Sequence, residues 1–454
     1  MAYCTQILSI GTGAIMKSFS SLSFASDHAE SLDLAFAAVQ KDPQALFTDF
    51  QWFLFQGKDT IFFTAFSKET FDQAKLKELV KRVVALAPQL THGFAGARPG
   101  HPFTEAQLDA ITSVELVDDF EGYPDKWLGK SEDIFDVADL PLFRFMAATR
   151  KGGPDGEGRA SIIQVRAAHA VLEGSDAALL TRSQTANHGI QSNKDNKVPL
   201  GTRVKGALAA GLGASIHLFF AHLLSPPEKP WQFQTLALPR SRIRKMSNRL
   251  GVRQRSLYFA LVTYALHSAK DRRFNDEVIA AAYTMLDTNR TAADDDFFRV
   301  RALMAKFPFT EDFVTYVKGV DKVLDEIEAK DVTAFSVQMM ALFKMHRSLN
   351  RYMPWLYGPR FRRFQGRTDT VLTLVPPHRT FGPVTEWMME PIYCGAFHAG
   401  ANICTFCPGR EYMTLNFTME PRHMEMVSAI EPLIARIETM DLPAHDKPAT
   451  HADA

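Results

Sequence analysis

Apolar residues return along this chain in two rhythms, and the change from one to the other marks out the elements. In "ESLDLAFAAVQ" (30–40) and "SKETFDQAKLKELVKRVVALAPQL" (67–90) they recur every three to four residues, which lays one apolar stripe along a helix. Ser67 stands where an N-cap would, Glu69 falls in the first turn, and Pro88 lies near the end. "WFLFQ" and "TIFFTAF" (52–66) flank "GKD" and predict a hairpin. "LPLFRFMAATR" (140–150) and "ASIIQVRAAHAV" (160–171) predict two strands, and the Gly/Pro/Asp-rich "KGGPDGEG" between them predicts a loop. "SDAALLTRSQ" (175–184) reads as the start of a helix.

The second half repeats the alternation. "PRSRIRKMSNRLG" and "RQRSLYFALVTYALHSA" (239–269) predict helices, "EVIAAAYTML" (277–286) a strand, and "DFVTYVKGVDKVLDEIEA" (312–329) a helix. "DTVLTLVP", "PIYCGAF", "NICTFCP" and "EYMTLNFTM" predict four strands between 369 and 419, and "HMEMVSAIEPLIARIETM" closes as a helix. At 454 residues the chain exceeds one ordinary core, so two lobes of ~100–200 residues are expected. The pattern divides it into an extension (1–28), a first α/β lobe (29–184), a polar then Pro-rich crossover (185–235), a second lobe (236–441) and a disordered tail (442–454).

Charge excludes one class of partner. Lys+Arg and Asp+Glu are both 51, so nothing global attracts nucleic acid. Phenylalanine is abundant, 35 against 10 tyrosines, which suits large apolar interiors or an apolar tunnel. The four cysteines, Cys4, Cys394, Cys404 and Cys407, are too few for a disulfide scaffold and point to a reducing, cytoplasmic compartment. The N-terminus has no basic residue before its apolar run, unlike a secretory signal. Residues 206–224 carry no Asp, Glu, Lys or Arg, but their glycines and histidines favour a buried or surface-docked helix over a span, with peripheral lipid contact as the alternative.

The chemistry concentrates in "VRAAHAVLEGSDA" (165–177). His169 ends a predicted strand, and Glu173 and Gly174 follow in the loop, where catalytic groups often sit. The bland alternative is a satisfied core histidine beside a surface glutamate. Two other constellations compete. Cys394, His398, Cys404 and Cys407 include a Cys-x-x-Cys spacing, but residues three apart on a strand face opposite sides, so packed thiols are expected and no metal. Two basic stretches each hold seven Lys/Arg and no acid, 240–255 and 344–367. Arg240, Arg242, Arg244 and Lys245 in the first, and Arg360, Arg362 and Arg363 in the second, are candidates to hold donor phosphates or an acidic carrier, against a simply solvated helix face. No Walker loop, G-x-G-x-x-G or Gly-x-Ser-x-Gly elbow is present.

At "AHAVLEGSDA" the sequence resembles the CoA-dependent acyltransferase superfamily, whose signature is HHxxxDG, and within it the wax ester synthase/diacylglycerol acyltransferase branch. "SLDLAF", "LKELVKRVVALAPQL", "PLFRF", "LGVRQRSLYFALVTYALHS" and "YTMLDTNR" resemble family segments in the family's order, so the resemblance covers roughly 30–440. It departs at Ala168, where the family has the first histidine, and at Glu173, where it has aspartate. The family's Asn-Asp pair falls at Arg255 and Ser256, and its Asn-Val-Pro-Gly-Pro turn is replaced by "LVPPHR" (374–379).

The resemblance implies two chloramphenicol acetyltransferase-like lobes, each a mixed sheet flanked by helices, with a tunnel between them. It implies an acyltransferase that moves an acyl group from a thioester, acyl-CoA or acyl carrier protein, to a hydroxyl acceptor, with no resident cofactor. His169 would be the general base, suited by an unperturbed pKa of ~6.5. Glu173 would pair with an arginine, Arg290 first and Arg144 second, and Gly174 would permit the turn. The alternatives are an amide-forming condensation enzyme with carrier-bound substrates, and a degenerate member that binds acyl chains or lipid without turnover. A monomer or weak dimer is expected.

Overall fold

The computed structural model describes residues 49–86, 90, 103–123, 125–128, 134–135, 140–171, 201, 204–205, 208, 232–267, 278–286, 300–329, 343–345, 347–348, 351, 370–375, 387–397 and 402–440. The segments 30–40 and 175–184, the terminal extension and tail, and "LVPPHR" beyond Val375 lie outside the described residues. So does 206–224 except Leu208, which is exposed. Among the described residues no helix is long and apolar enough to cross a membrane.

The described chain opens with α1 (Asp49–Gly57), then β1 (Thr60–Ser67) and α2 (Gln73–Leu86). This corrects two expectations. "WFLFQ" is helical, because four apolar residues in a row carry no period of two and fit a buried helix equally well. The helix ends where the amides of Lys58 and Asp59 return to the carbonyls of Phe55 (3.0 Å) and Leu54 (3.1 Å), with Lys58 at φ 54°. Ser67 is the last residue of β1 and its Oγ accepts from the Glu69 amide, while the cap of α2 is Asp72, whose carboxylate accepts from the Lys75 amide at 2.8 Å. Leu76, Leu79, Val80, Val83 and Val84 form the buried stripe of α2.

Next come α3 (Glu105–Ile111), β2 (Thr112–Val117), the single turn α4 (Asp125–Leu128), β3 (Phe143–Arg150) and β4 (Ser161–Ala168). The second half runs β5 (Gln232–Pro239), α5 (Arg240–Leu250), α6 (Gln254–His267), β6 (Val278–Leu286), β7 (Val300–Pro308), α7 (Phe313–Glu328), β8 (Thr370–Leu374), β9 (Met388–Phe397), β10 (Ile403–Pro408), β11 (Tyr412–Met419) and α8 (Pro421–Thr439). Strand β5 opens at Gln232, inside the stretch read as crossover. The elements α3, β2, α4, β5 and β7 are additions to the sequence reading. A reciprocal cap between Thr104 and Gln107 starts α3.

Two mixed sheets result. The first has the order β2-β3-β4-β1-β9, and the second β5-β11-β10-β8-β6-β7. Pairing is parallel at β2/β3, β10/β8 and β6/β8, and antiparallel elsewhere. The expected α/β architecture of two mixed sheets flanked by helices is therefore present. Each sheet has a core on its helical side. One holds Leu79, Val83, Phe143, Phe145, Ile163 and Val165, and the other Leu257, Phe259, Phe313, Leu324, Phe406 and Ile430. A smaller cluster of Phe66, Trp127, Ala148, Ile162 and Tyr393 covers the first sheet's opposite face.

Strand β9 comes from the second half of the chain yet closes the first sheet, paired along β1 from Thr60↔Phe397 to Ser67↔Met388. It stays tied to the second sheet. The hydroxyls of Thr414 and Thr418 on β11 donate to the carbonyls of Ile392 (2.6 Å) and Ala396 (2.9 Å). The Glu390 carboxylate accepts the amides of Arg410, Glu411 and Tyr412 in the β10–β11 turn. One strand thus belongs to both lobes.

Candidate active site

His169 is the first residue past β4 and its backbone is held from both sides. Its amide donates to the Asp59 carbonyl, just ahead of β1, at 2.7 Å. The preceding Ala168 amide donates to the Leu142 carbonyl, just ahead of β3, at 2.8 Å. The amide of Val171 closes the turn on the Ala168 carbonyl at 3.0 Å. The histidine is half-buried, whereas Ala168 is fully buried among core residues. A side chain on such a turn has its Cα fixed between the starts of two strands, which is what a positioned proton acceptor needs.

Glu173, Gly174 and Arg290 lie outside the described residues, and so do Arg360, Arg362 and Arg363. Arg144 is buried on β3, and one guanidinium nitrogen donates to the carbonyls of Pro141 and Phe143, both at 2.7 Å. It stands directly opposite Arg166 of β4. The sequence reading missed Arg166, which is 1 % exposed and donates to the Trp127 carbonyl at 3.5 Å. Its signal was the one charged residue in strand β4, three positions before the histidine. Two like charges facing each other in a buried sheet are costly unless each is compensated, so this row places two held guanidinium groups next to the motif.

The same row continues to Phe62 on β1 and Gly395 on β9. A Cβ at position 395 would lie 2.0 Å from the Phe62 ring, so only glycine lets the ring lie on β9. From the second sheet Phe233 meets Phe62 edge-on (6.5 Å between centroids) and Phe397 tilted (6.2 Å). The aromatic seam between the sheets therefore lies within about two residues of the end of β4. Beside it, Asp125 of α4 accepts from the Thr235 hydroxyl of β5 at 3.3 Å. Burial pushes the Asp125 carboxyl up to about 6, partly opposed by that hydrogen bond. Burial, and then the Asp125 charge, raises the Tyr393 phenol to about 12.

The first basic stretch is mostly engaged within the fold. Arg242 pairs with Glu438 (2.7 Å) and Glu431 (2.9 Å) on α8, and these bonds push its pKa up. Arg240 donates to the Gly409 carbonyl at 2.9 Å. Arg244 and Lys245 are exposed. Cys394 and Cys407 sit in the first core and Cys404 in the second, as strand alternation requires of Cys404 and Cys407. Burial raises the Cys394 thiol to about 12 and the other two well above their ordinary range, so all three are neutral thiols. His398 lies outside the described residues, and among these no cluster of three metal-ligating side chains is found.

Comparison with family models and with curated protein sequences finds no match. Comparison with solved structures does. The chain overlays trichothecene 15-O-acetyltransferase from Fusarium sporotrichioides with a TM-score of 0.51, at 10% identity, covering 84% of this chain and 92% of that one. It overlays the nonribosomal peptide synthetase FmoA3 with a TM-score of 0.50, at 15% identity, over 88% of this chain and 43% of that one. The chain has the CoA-dependent acyltransferase fold. A looser overlay, with a TM-score of 0.46 at 12% identity, is with the wax ester synthase/diacylglycerol acyltransferase from Marinobacter aquaeolei VT8, over 84% of this chain and 93% of that one. Within the acyltransferase fold, the elements around His169 are β4 with β1 and β3 beside it, and β9 arriving from the second half.

Proposed function

We propose that this protein transfers an acyl group from a thioester, carried by CoA or by a carrier protein, to a hydroxyl acceptor. The observation that carries the reading is His169, held on its turn by the amide bonds to Asp59 and Leu142 at the end of the central strand of an acyltransferase-type lobe. The acceptor oxygen attacks the thioester carbonyl carbon as its proton passes to the His169 ring. The tetrahedral intermediate collapses, the C–S bond breaks, and the same proton leaves on the thiolate sulfur. No protein nucleophile is needed, and the buried Cys394, Cys404 and Cys407 thiols are unsuited to that role. Ala168 does not abolish this scheme, because only one histidine moves the proton.

Glu173 then acts as the counter-charge that fixes the loop. Arg290 is its first candidate partner and Arg144, which stands opposite Arg166 in the row next to the histidine, is the second. The exposed Arg244 and Lys245 offer the donor phosphates a landing point, with Arg360, Arg362 and Arg363 as the second group. A second reading, amide formation between carrier-bound substrates, is favoured by the likeness to the peptide synthetase and by "PLFR".

The test is thiol release from short- to long-chain acyl-CoAs with pooled alcohols and amines, wild type beside His169→Ala. A positioned base contributes ~10²–10⁴-fold, so release should fall by about that factor in the variant. Release that survives the substitution sinks the base assignment. Release only from an acyl carrier protein, and only with amines, selects the second reading.

A further inference from the structure

The turn α4 is fastened to the first lobe by several bonds among the described residues. The Trp127 indole donates to Glu115 of β2 at 3.1 Å, and the Tyr123 hydroxyl donates to the same carboxylate. Lys126 turns outward to the Tyr123 hydroxyl at 2.7 Å, and Arg166 of β4 donates to the Trp127 carbonyl. What α4 presents to the second lobe is the Asp125 carboxyl, half-buried against Thr235 of β5. Strand β5 carries no charged residue, and it is the edge of its sheet. Among the described residues, the other titratable groups at this seam are Tyr393 on β9, and Arg159 and Tyr412, which act on Tyr393. Arg159 is committed to Asp155 at 2.7 Å and to Glu157 at 3.0 Å. Among the described residues, the Asp125 charge therefore has one hydrogen bond, from Thr235, to offset its loss of water.

We propose that Asp125 is a proton-controlled catch between the two lobes, holding α4 against β5 when protonated and releasing it when ionised. The sign follows from the direction of the shift. The carboxyl titrates at about 6 in the closed seam, above the ordinary 3.8, so closure is fully supported at low pH and weakens as pH rises through 6. The catch does not depend on the chemistry proposed for His169.

Hydrogen exchange on the full chain, corrected for intrinsic rates, tests it between about pH 5 and pH 7.5. Protection of peptides spanning 123–128 and 232–239 should fall by roughly tenfold over that range, while a core peptide over 254–267 keeps its protection. In Asp125→Asn the fall disappears and protection stays at its low-pH level. Thr235→Val removes the one bond that favours the ionised form, so the midpoint should move up. A wild type without the fall overturns the catch. So does an Asp125→Asn variant that keeps it, or a Thr235→Val midpoint that stays put or moves down.

Discussion

At the scale of single residues, the site was legible where a side chain breaks the pattern of its element. His169 stood out as a polar residue at the end of an apolar run, and the structure puts it on a pinned turn past β4. Arg166 broke the same run and was passed over, because a charge in a strand reads as a solvent-facing position until pairing shows both faces of the strand covered. Gly395 was not legible at all. Its requirement comes from Phe62, 333 positions away, and no local rule couples the two. Gly395→Ala should cost about 1–3 kcal/mol by overpacking, read as a lower urea midpoint at unchanged slope. Phe62→Leu in the same chain should recover part of that loss, since the obstructing ring is then gone.

At the scale of elements, periodicity located most helices and strands of the second half. It failed at "WFLFQ", where an unbroken apolar run has no period to read, and at Ser67, where a strand end imitates a cap. The strand reading of "PIYCGAF" was right about its form, but its partner could not be guessed, because register is set by tertiary packing and not by the segment itself. Beyond its pairing with β1, β9 is tied to the β10–β11 turn by one carboxylate. Glu390 accepts three amides of the β10–β11 turn, and a Cβ on Gly409 would come within 2.7 Å of it. Glu390→Gln keeps the shape but replaces a charged acceptor with a neutral one, and one of its two oxygens with a donor. A loss of about 1–3 kcal/mol is expected, seen as a lower Tm, with faster hydrogen exchange in 410–412.

At the scale of the whole molecule, two α/β lobes followed from chain length and the alternation of rhythms, and two mixed sheets from the resemblance, but the sharing of a strand followed from neither. Because β9 closes the first sheet, a fragment ending at residue 184 should lack a native edge along β1 and fail to give a cooperative transition on its own. Adding the fragment 185–454 should restore the fold. A first fragment that unfolds cooperatively by itself, with protected β1 amides, would refute this. The same strand also sets a clock on synthesis. Residue 388 leaves the ribosome roughly 320 residues after β1 is complete, which at ~5–20 residues per second is a delay of about 15–65 s. Throughout that interval the nascent first lobe carries an open, aromatic-rich strand that can pair with any neighbouring chain. Yield in the cell should therefore depend on chaperone supply and elongation rate more than on the stability of the finished protein.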